Sequence, residues 1–186
     1  MPSLRFEQVR DVIEAFPSVA YELDIEPSDE GSLDFLNSLV GEELDKAVGF
    51  CAYLLPRREA VWWGCRSVRK FVLKPTLDER EGIRLAEDWV REPEEERRLA
   101  ALELGMRYSA KLATTHLALA AGWSGRSFSV AGGDPIPIQP HSTARAVRAA
   151  ILIAACRARQ AERPGLMRDC VEDGIKIAAD GMEQGG

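Results

Sequence analysis

The sequence predicts an all-α protein, a single-domain bundle of about six to eight helices with one long loop rich in glycine and proline. Apolar residues recur at spacings of three and four through most of the 186 residues, which is the spacing of one helix face. Prolines, glycines and capping residues separate these stretches, and no convincing alternation of period two indicates a strand. A hydrophobic fraction of 46% is ordinary for a globular chain, so we take residues 1–186 as one domain.

Four segments are predicted in the first third of the chain. Apolar residues between 9 and 16 predict a first helix, which ends before Pro17 because proline disfavours helical geometry in the residue that precedes it. Residues 17–32 are acidic and rich in turn formers, so we expect a loop there. Short helices are predicted at 33–41 and 44–55, and the first of them ends in a glycine.

Pro56 opens the next predicted helix, because its missing N–H has no partner to lose in a first helical turn. Basic residues at the end of this helix suit the negative pole of a helix C-terminus. Thr76 and Glu79 have the spacing of a capping box, in which each side chain accepts a hydrogen bond from the other residue's backbone N–H. The sequence therefore predicts one helix at 56–72 and another at 77–92.

The long loop lies in the second half of the chain. A helix is predicted at 93–121, and Gly122 is its natural end. Residues 122–142 contain three prolines and four glycines, which exclude a regular helix. An alanine-rich helix is predicted at 143–163, followed by a last helix. We expect residues 183–186 to form a flexible tail.

The formal net charge of −6 is distributed in blocks of alternating sign. Residues 1–55 carry a net −9, 57–74 carry +5, 75–103 carry −5, 104–163 carry +6, and 164–186 carry −3. Blocks of helix length with alternating sign suit neighbouring helices that have complementary faces. An overall acidic chain disfavours nonspecific nucleic-acid binding.

Membrane insertion, export and metal binding are not expected. No apolar run reaches the roughly 18 residues of a membrane span. The first residues lack the apolar core of an export signal, so we expect a cytoplasmic protein. Four cysteines lie among apolar residues at helical spacing, which predicts buried thiols, no metal and no cofactor. These cysteines are Cys51, Cys65, Cys156 and Cys170.

No local motif indicates a reaction centre. Ser124 or Ser127 could join Asp134 and His141 in a triad on paper, but nothing in the sequence fixes their mutual geometry. The glycine-containing stretch at 122–127 lacks the Lys-Ser/Thr pair of a phosphate-binding loop. We therefore predict that the chain is not an enzyme and has no catalytic residues.

Two adjacent tryptophans give the clearest functional indication. Neighbouring helix residues point about 100° apart, so Trp62 and Trp63 cannot share one face. We expect one of them in the core and the other on a surface beside Arg57, Arg58 and Arg66. Tryptophan and arginine are enriched among the residues that dominate protein–protein affinity. The pattern therefore favours binding, with the arginines steering a partner electrostatically.

The long loop is expected to supply a second contact to that partner. Its prolines favour an extended backbone, and its apolar residues would pin it to the helices. Interfaces are enriched in aromatic and arginine side chains, and the loop carries both. The predicted partner-binding residues are Arg57, Arg58, Trp62, Trp63, Arg66, Trp123, Arg126 and Phe128.

Four stretches resemble a family of uncharacterised bacterial helical proteins. They are LPRREAVWW at 55–63, AEDWVREP at 86–93, WSGRS at 123–127 and ARAV at 144–147, all within residues 50–155. Members of such families are similar to accessory proteins encoded beside type VI secretion components, where small adaptors load cargo onto the spike. The resemblance implies a helical adaptor, and no catalytic residues carry over from it.

The leading functional prediction is a cytoplasmic, non-enzymatic adaptor or chaperone that binds another protein, such as a secretion effector or a spike component. Neither nucleic acid nor membrane is expected as a partner, and a homo-oligomer is left open. The first alternative is a small-molecule-binding protein or enzyme whose pocket, in the 122–142 loop, contains Arg126, Asp134 or His141. The second alternative is a self-associating structural subunit joined through its oppositely charged blocks.

Overall fold

A computed structural model describes residues 4–130 and 132–180 of the chain. Within these residues, ten α-helices and one two-stranded antiparallel sheet are present, so the protein is mostly helical as predicted. The predicted tail at 183–186 lies outside the described residues. In chain order the elements are α1 (Val9–Ala15), α2 (Ser18–Glu22), α3 (Ser32–Glu42), α4 (Leu44–Leu54), α5 (Arg57–Phe71), α6 (Leu77–Arg91), α7 (Glu95–Arg107), α8 (Ala113–Gly122), β1 (Ser127–Phe128), β2 (Ile136–Pro137), α9 (Ser142–Ala155) and α10 (Arg163–Asp180).

Helices α5, α8 and α9 form the centre of the bundle. Helix α8 packs against α6, α7 and α9, while α5 packs against α6 and α9. Helices α4 and α10 cover the opposite side of α5 and α9, and α3 lies outside them. The core between these layers is apolar, and Phe50, Trp63, Leu117 and Ile151 are among its fully buried side chains.

The capping box at the start of α6 is present as predicted. The backbone N–H of Glu79 donates to the Thr76 hydroxyl at 3.3 Å, and the N–H of Thr76 donates to the Glu79 carboxylate at 2.8 Å. Glu79 is also buried, and it forms an ion pair with Arg157, which follows α9. The capping box therefore begins α6, and its glutamate also connects α6 to Arg157, which lies far along the chain.

The ten helices exceed the predicted six to eight for two reasons. The segment 17–32 is not entirely loop, because Ser18 and Val19 are buried and begin the short helix α2. The helix predicted at 93–121 is divided into α7 and α8. Between them the chain turns at Ser109, whose carbonyl accepts from the N–H of Leu112 at 3.1 Å. This reversal lets α7 and α8 pack side by side, and in proteins most helical stability comes from such packing.

The cysteines differ from the prediction at one position. Cys51, Cys65 and Cys170 are buried, as predicted, and burial raises the pKa of each thiol. Cys156 is exposed, because α9 ends at Ala155 and the chain then leaves the core. The three buried thiols are held in the protonated form, which is a poor nucleophile.

Candidate protein-binding surface

The two adjacent tryptophans of α5 have opposite environments. Trp63 is fully buried, and its indole N–H donates to the carbonyl oxygen of Cys170 in α10 at 2.7 Å. A Cβ added at Gly174 would lie 3.0 Å from that indole nitrogen, so the glycine permits the close approach of α10. Trp63 is therefore a core residue, and its assignment to partner binding is corrected.

Trp62 is the member of the pair that reaches the surface. It is half-buried, and the guanidinium carbon of Arg66 lies 4.9 Å from its ring centroid, within cation–π range. Arg66 is exposed, and its nearest carboxylate oxygen, on Asp173, is 3.8 Å away. Since this face is shared by an exposed arginine and a partly covered indole, it presents little apolar area to a partner.

Arg57 and Arg58 are used inside the molecule, which changes their predicted role. The Arg57 guanidinium donates to the carbonyl oxygen of Ser124 at 2.7 Å. The Arg58 Nε donates to the carbonyl oxygen of Val90 at 2.7 Å, near the C-terminus of α6. Carbonyls at a helix C-terminus lack partners within the helix, so Arg58 acts as a cap for α6. Both side chains therefore hold the fold together, and electrostatic steering is not their evident role.

A buried arginine that the sequence analysis did not single out positions the loop. Arg98 of α7 is only 5% exposed, and it donates to the carbonyl oxygens of Gly122 and Ser127, the latter at 3.0 Å. It also bonds the Glu95 carboxylate at 2.7 Å. A Cβ at Gly125 would lie 2.7 Å from its guanidinium carbon, so the loop folds directly over this side chain. No local pattern around residue 98 predicts this role, because both carbonyl partners lie more than twenty residues away.

The loop from α8 to α9 contains the small sheet. Ser127 pairs with Pro137 and Phe128 with Ile136, and the N–H of Ile138 extends the ladder to the carbonyl of Arg126 at 2.8 Å. Two paired residues in each strand are too few to produce a recognisable alternation of polar and apolar residues, and so the sequence predicts no strand here. The described part of the segment, 123–130 and 132–141, is otherwise non-helical.

The aromatic residues of the loop rest on the helices. Trp123 and Phe128 are half-buried and pack against the core, while Arg126 is exposed. The hydroxyl of Ser124 donates to the carbonyl of Ala121 at 2.6 Å, and so it belongs to the end of α8. Thr143 ties the other end of the loop to α8 through the carbonyl of Ala120 at 3.2 Å.

An apolar groove lies between α7 and the β1 end of the loop. Its volume is about 470 Å³. Leu99 is 43% exposed, Met106 55% and Val130 51%, which are high values for large apolar side chains. Leu99 and Met106 are seven residues apart, so they lie on one face of α7, separated by about 10 Å along its axis. The groove is lined by Leu99, Leu102, Glu103, Met106, Arg107, Phe128, Ser129 and Val130.

The residues of the predicted small-molecule site do not line this groove. Asp134 is exposed, and His141 is half-buried immediately before α9. Burial and the neighbouring Arg145 charge lower the pKa of His141. His116 faces the carbonyl of Ala110 at 2.8 Å and so holds the turn between α7 and α8. Among the described residues, no group of three or more histidine, cysteine, aspartate or glutamate side chains is arranged to hold a metal ion.

These features define an all-α protein with an apolar groove beside a loop that arginine side chains hold in place. The chain belongs to the Family of unknown function (DUF6931), whose model matches residues 35–178. The matched region runs from α3 into α10 and includes both sides of the groove. No curated protein and no solved structure matches the chain. In residues 4–130 and 132–180, no helix combines the length and the hydropathy needed to cross a bilayer.

Proposed function

We propose that this protein is a non-enzymatic adaptor or chaperone, and that the groove between α7 and β1 receives an apolar segment of another protein. The observation that carries the proposal is the cluster of exposed Leu99, Met106 and Val130 around one concave surface. Exposed apolar side chains gathered in this way are typical of protein interaction sites. Phe128, a residue of the predicted site, forms part of the same groove.

An amphipathic helix is the partner segment that fits this groove. Two turns of helix are about 11 Å long, close to the separation of Leu99 and Met106 along α7. Anchors at spacings of three, four and seven would then lie in the apolar floor, as in other helix-in-groove complexes. Glu103 and Arg107, which pair at 3.8 Å on α7, provide charges of both signs at the rim.

The hydrogen bond from Arg98 to the loop makes the groove a preorganised surface. Arg98 fixes Ser127, which is adjacent to Phe128, so one wall of the groove is set before a partner arrives. A preformed surface loses less conformational entropy on binding than a flexible one. Among possible partners, the sequence resemblance favours a type VI secretion effector or spike component, and that identity is part of the proposal.

The test is reconstitution with proteins encoded beside the gene, followed by light scattering to measure the mass of the complex. We expect a stoichiometric complex that Met106→Glu weakens at least about tenfold, because a buried charge would replace an apolar anchor. Leu77→Glu is the matched control, since Leu77 is 80% exposed outside the groove. A complex insensitive to Met106→Glu would refute the proposed groove.

Self-association is a separate outcome of the same experiment. A homodimer that Met106→Glu dissociates would replace the adaptor proposal with that of a structural subunit, the alternative raised by the charge blocks. A dimer that loosens with salt and ignores Met106→Glu would instead indicate assembly through the charged faces. A chain that stays monomeric with every neighbour-encoded protein would contradict the adaptor proposal.

A further inference from the structure

The groove between α7 and β1 contains a side chain that mild oxidants can modify. Met106 lies in its lining and is 55% exposed. The thioether of methionine accepts an oxygen atom and becomes a polar sulfoxide, whereas leucine, valine and phenylalanine side chains do not react in this way. A change at Met106 would therefore act directly on the surface that the proposed function assigns to a partner.

The two methionines that the structure describes differ in their access to solvent. Met106 is more than half exposed, while Met167 of α10 is only 4% exposed. An oxidant must reach the sulfur atom, so susceptibility to oxidation follows exposure. We expect Met106 to react well before Met167, which provides an internal control in the same chain. Met1 and Met182 lie outside the described residues.

The apolar lining of the groove makes a polar atom at position 106 unfavourable for an apolar partner. Leu99 lies on the same face of α7 as Met106, and Leu102, Phe128 and Val130 complete the apolar lining. A sulfoxide adds a hydrogen-bond acceptor to this surface, and water hydrates that acceptor while the groove is empty. An apolar segment that covers the groove removes this water, and an acceptor that loses its hydration without a new donor costs free energy.

The polar residues of the lining do not readily replace that water. They are Glu103, Arg107 and Ser129, and all three are exposed. The Glu103 carboxylate accepts but does not donate, and the Arg107 guanidinium lies 3.8 Å from it. A hydrogen bond from Arg107 or Ser129 to a sulfoxide would replace an existing contact with Glu103 or with water, so its net contribution is small. Oxidation of Met106 therefore lowers the affinity of the groove for an apolar segment.

We propose that Met106 is a reversible oxidation site that controls whether the groove accepts an apolar segment. This inference rests on the proposed function, because it concerns the regulation of the same groove. The oxidant is a hydroperoxide. Its O–O bond breaks and an S–O bond forms, so the thioether loses two electrons and becomes a sulfoxide. The proton of the transferred oxygen passes to the leaving alkoxide, which becomes the alcohol, or water in the case of hydrogen peroxide.

A thiol-dependent methionine sulfoxide reductase reverses the change. Two thiols supply two electrons and two protons, the S–O bond breaks, and the oxygen leaves as water while the thiols form a disulfide. The groove then regains its apolar lining at Met106.

The first experiment measures where the folded chain is oxidised. The full chain is treated with hydrogen peroxide, digested, and analysed by mass spectrometry as a function of time. Cys156 is exposed and also reacts with peroxides, so Cys156→Ser is the background in every sample. We expect Met106 to oxidise at least about tenfold faster than Met167, because its side chain is open to solvent. A mixture of the two epimer-specific methionine sulfoxide reductases, with dithiothreitol, should then return Met106 to the thioether form.

The second experiment measures the groove without any partner. The dye anilinonaphthalene sulfonate fluoresces on exposed apolar surface, and we expect peroxide to lower this fluorescence and the reductases to restore it. Met106→Leu is the matched control, and each chain is compared with itself before and after peroxide. The Met106→Leu fluorescence should stay constant, because leucine has no thioether. Circular dichroism verifies that each oxidised chain is still folded.

The reconstituted complex gives the third measurement. The chain oxidised at Met106 should bind its partner with a Kd at least about tenfold higher than that of the reduced chain, and the reductases should reverse this loss. Failure of the adaptor proposal is the absence of a complex with the reduced chain. Failure of this inference is seen in the isolated chain, through the peptide analysis and the dye, so the two failures are distinguishable.

Four results would overturn the inference. The first is oxidation of Met167 as fast as that of Met106 in the folded chain. The second is dye fluorescence that does not fall when Met106 is oxidised, or that falls equally in Met106→Leu. The third is a sulfoxide at Met106 that the reductases leave unreduced in the folded chain. The fourth is a complex whose Kd is the same for the oxidised and the reduced chain.

Discussion

Two regions of this protein are held together by different physical means. The core around Trp63 is packed from apolar side chains of α4, α5, α9 and α10, with one indole hydrogen bond across it. The loop from α8 to α9 has few buried residues, and arginines from α5 and α7 hold it through its carbonyl oxygens. The first region depends on burial of apolar area, and the second depends on a few directional contacts.

This difference shows where a binding surface can form in a small helical bundle. The described side chains of this core are almost completely buried, so they offer a partner little surface. The loop, fixed by its backbone, leaves side chains such as Val130 outward, next to the exposed face of α7. Polar anchoring of the backbone therefore allows an apolar groove to stay open.

The largest expected effect comes from breaking the core. Trp63→Ala should lower the free energy of unfolding by about 3–5 kcal/mol, because it removes a large buried side chain and leaves a cavity. Trp62→Ala is the matched control, and it should cost about 1 kcal/mol, since its indole is already half solvated. Urea titration monitored by circular dichroism measures both. Equal losses would contradict the contrast between the two tryptophans.

Removing the loop anchor should have an intermediate effect with a local signature. Arg98→Met leaves the carbonyls of Gly122 and Ser127 without this donor, at about 1–3 kcal/mol for each buried group that stays unsatisfied. Hydrogen exchange should rise at the N–H of Ile138, within the small sheet, more than in α5. A sheet protected equally in the variant and the wild type would show that Arg98 does not position the loop.

The neighbouring Arg97 provides the control for that variant. Its ion pair with Glu92 is exposed on both sides, so Arg97→Met should change stability by less than about 1 kcal/mol. Exchange in the small sheet should be the same as in the wild type.

The smallest expected effect is a pH dependence at a third polar contact. Glu22, at the end of α2, accepts from Tyr53 of α4 and Arg145 of α9. Burial raises the pKa of its carboxyl group, but the hydrogen bonds from Arg145 and Tyr53 outweigh burial and lower that pKa from 4.5 to about 2. The folded state therefore binds a proton less readily than the unfolded state.

The sign of the effect follows from proton linkage. The stabilisation from Glu22 is fully present above about pH 4.5 and is lost as the pH falls toward about 2. Glu22→Gln should be less stable than the wild type at pH 7, and the two should converge as the pH approaches 2. Chemical denaturation at a series of pH values measures this, with Glu26→Gln, at an exposed position, as the control. A constant difference between Glu22→Gln and the wild type across the series would contradict the assigned pKa.

Much of the fold could be predicted from residue patterns. The α6 capping box is confirmed because Thr76 and Glu79 interact across three residues, a distance that a local sequence reveals. The division between α7 and α8 was missed because Ser109 begins a turn that only the packing of the two helices makes favourable. Helix propensity alone does not separate one long helix from two that fold back.

The candidate site was predictable only in part. Phe128 is a predicted partner-binding residue because of its aromatic side chain in a long loop, and this side chain lines the groove. Leu99 and Met106 lie within the helix predicted at 93–121, and nothing in their spacing indicates that they are exposed. Arg57 and Arg98 have the same residue type as surface arginines, and their carbonyl partners lie 67 and 24 or more residues away.

Residue patterns are enough to predict that the chain is helical and where most helices begin and end, because periodicity and capping act over three to seven residues. They do not predict which tryptophan is buried, which arginines bond the backbone or which apolar face stays open. Those outcomes depend on the arrangement of elements distant in sequence, and the free energy of each contact exists only after the helices have packed.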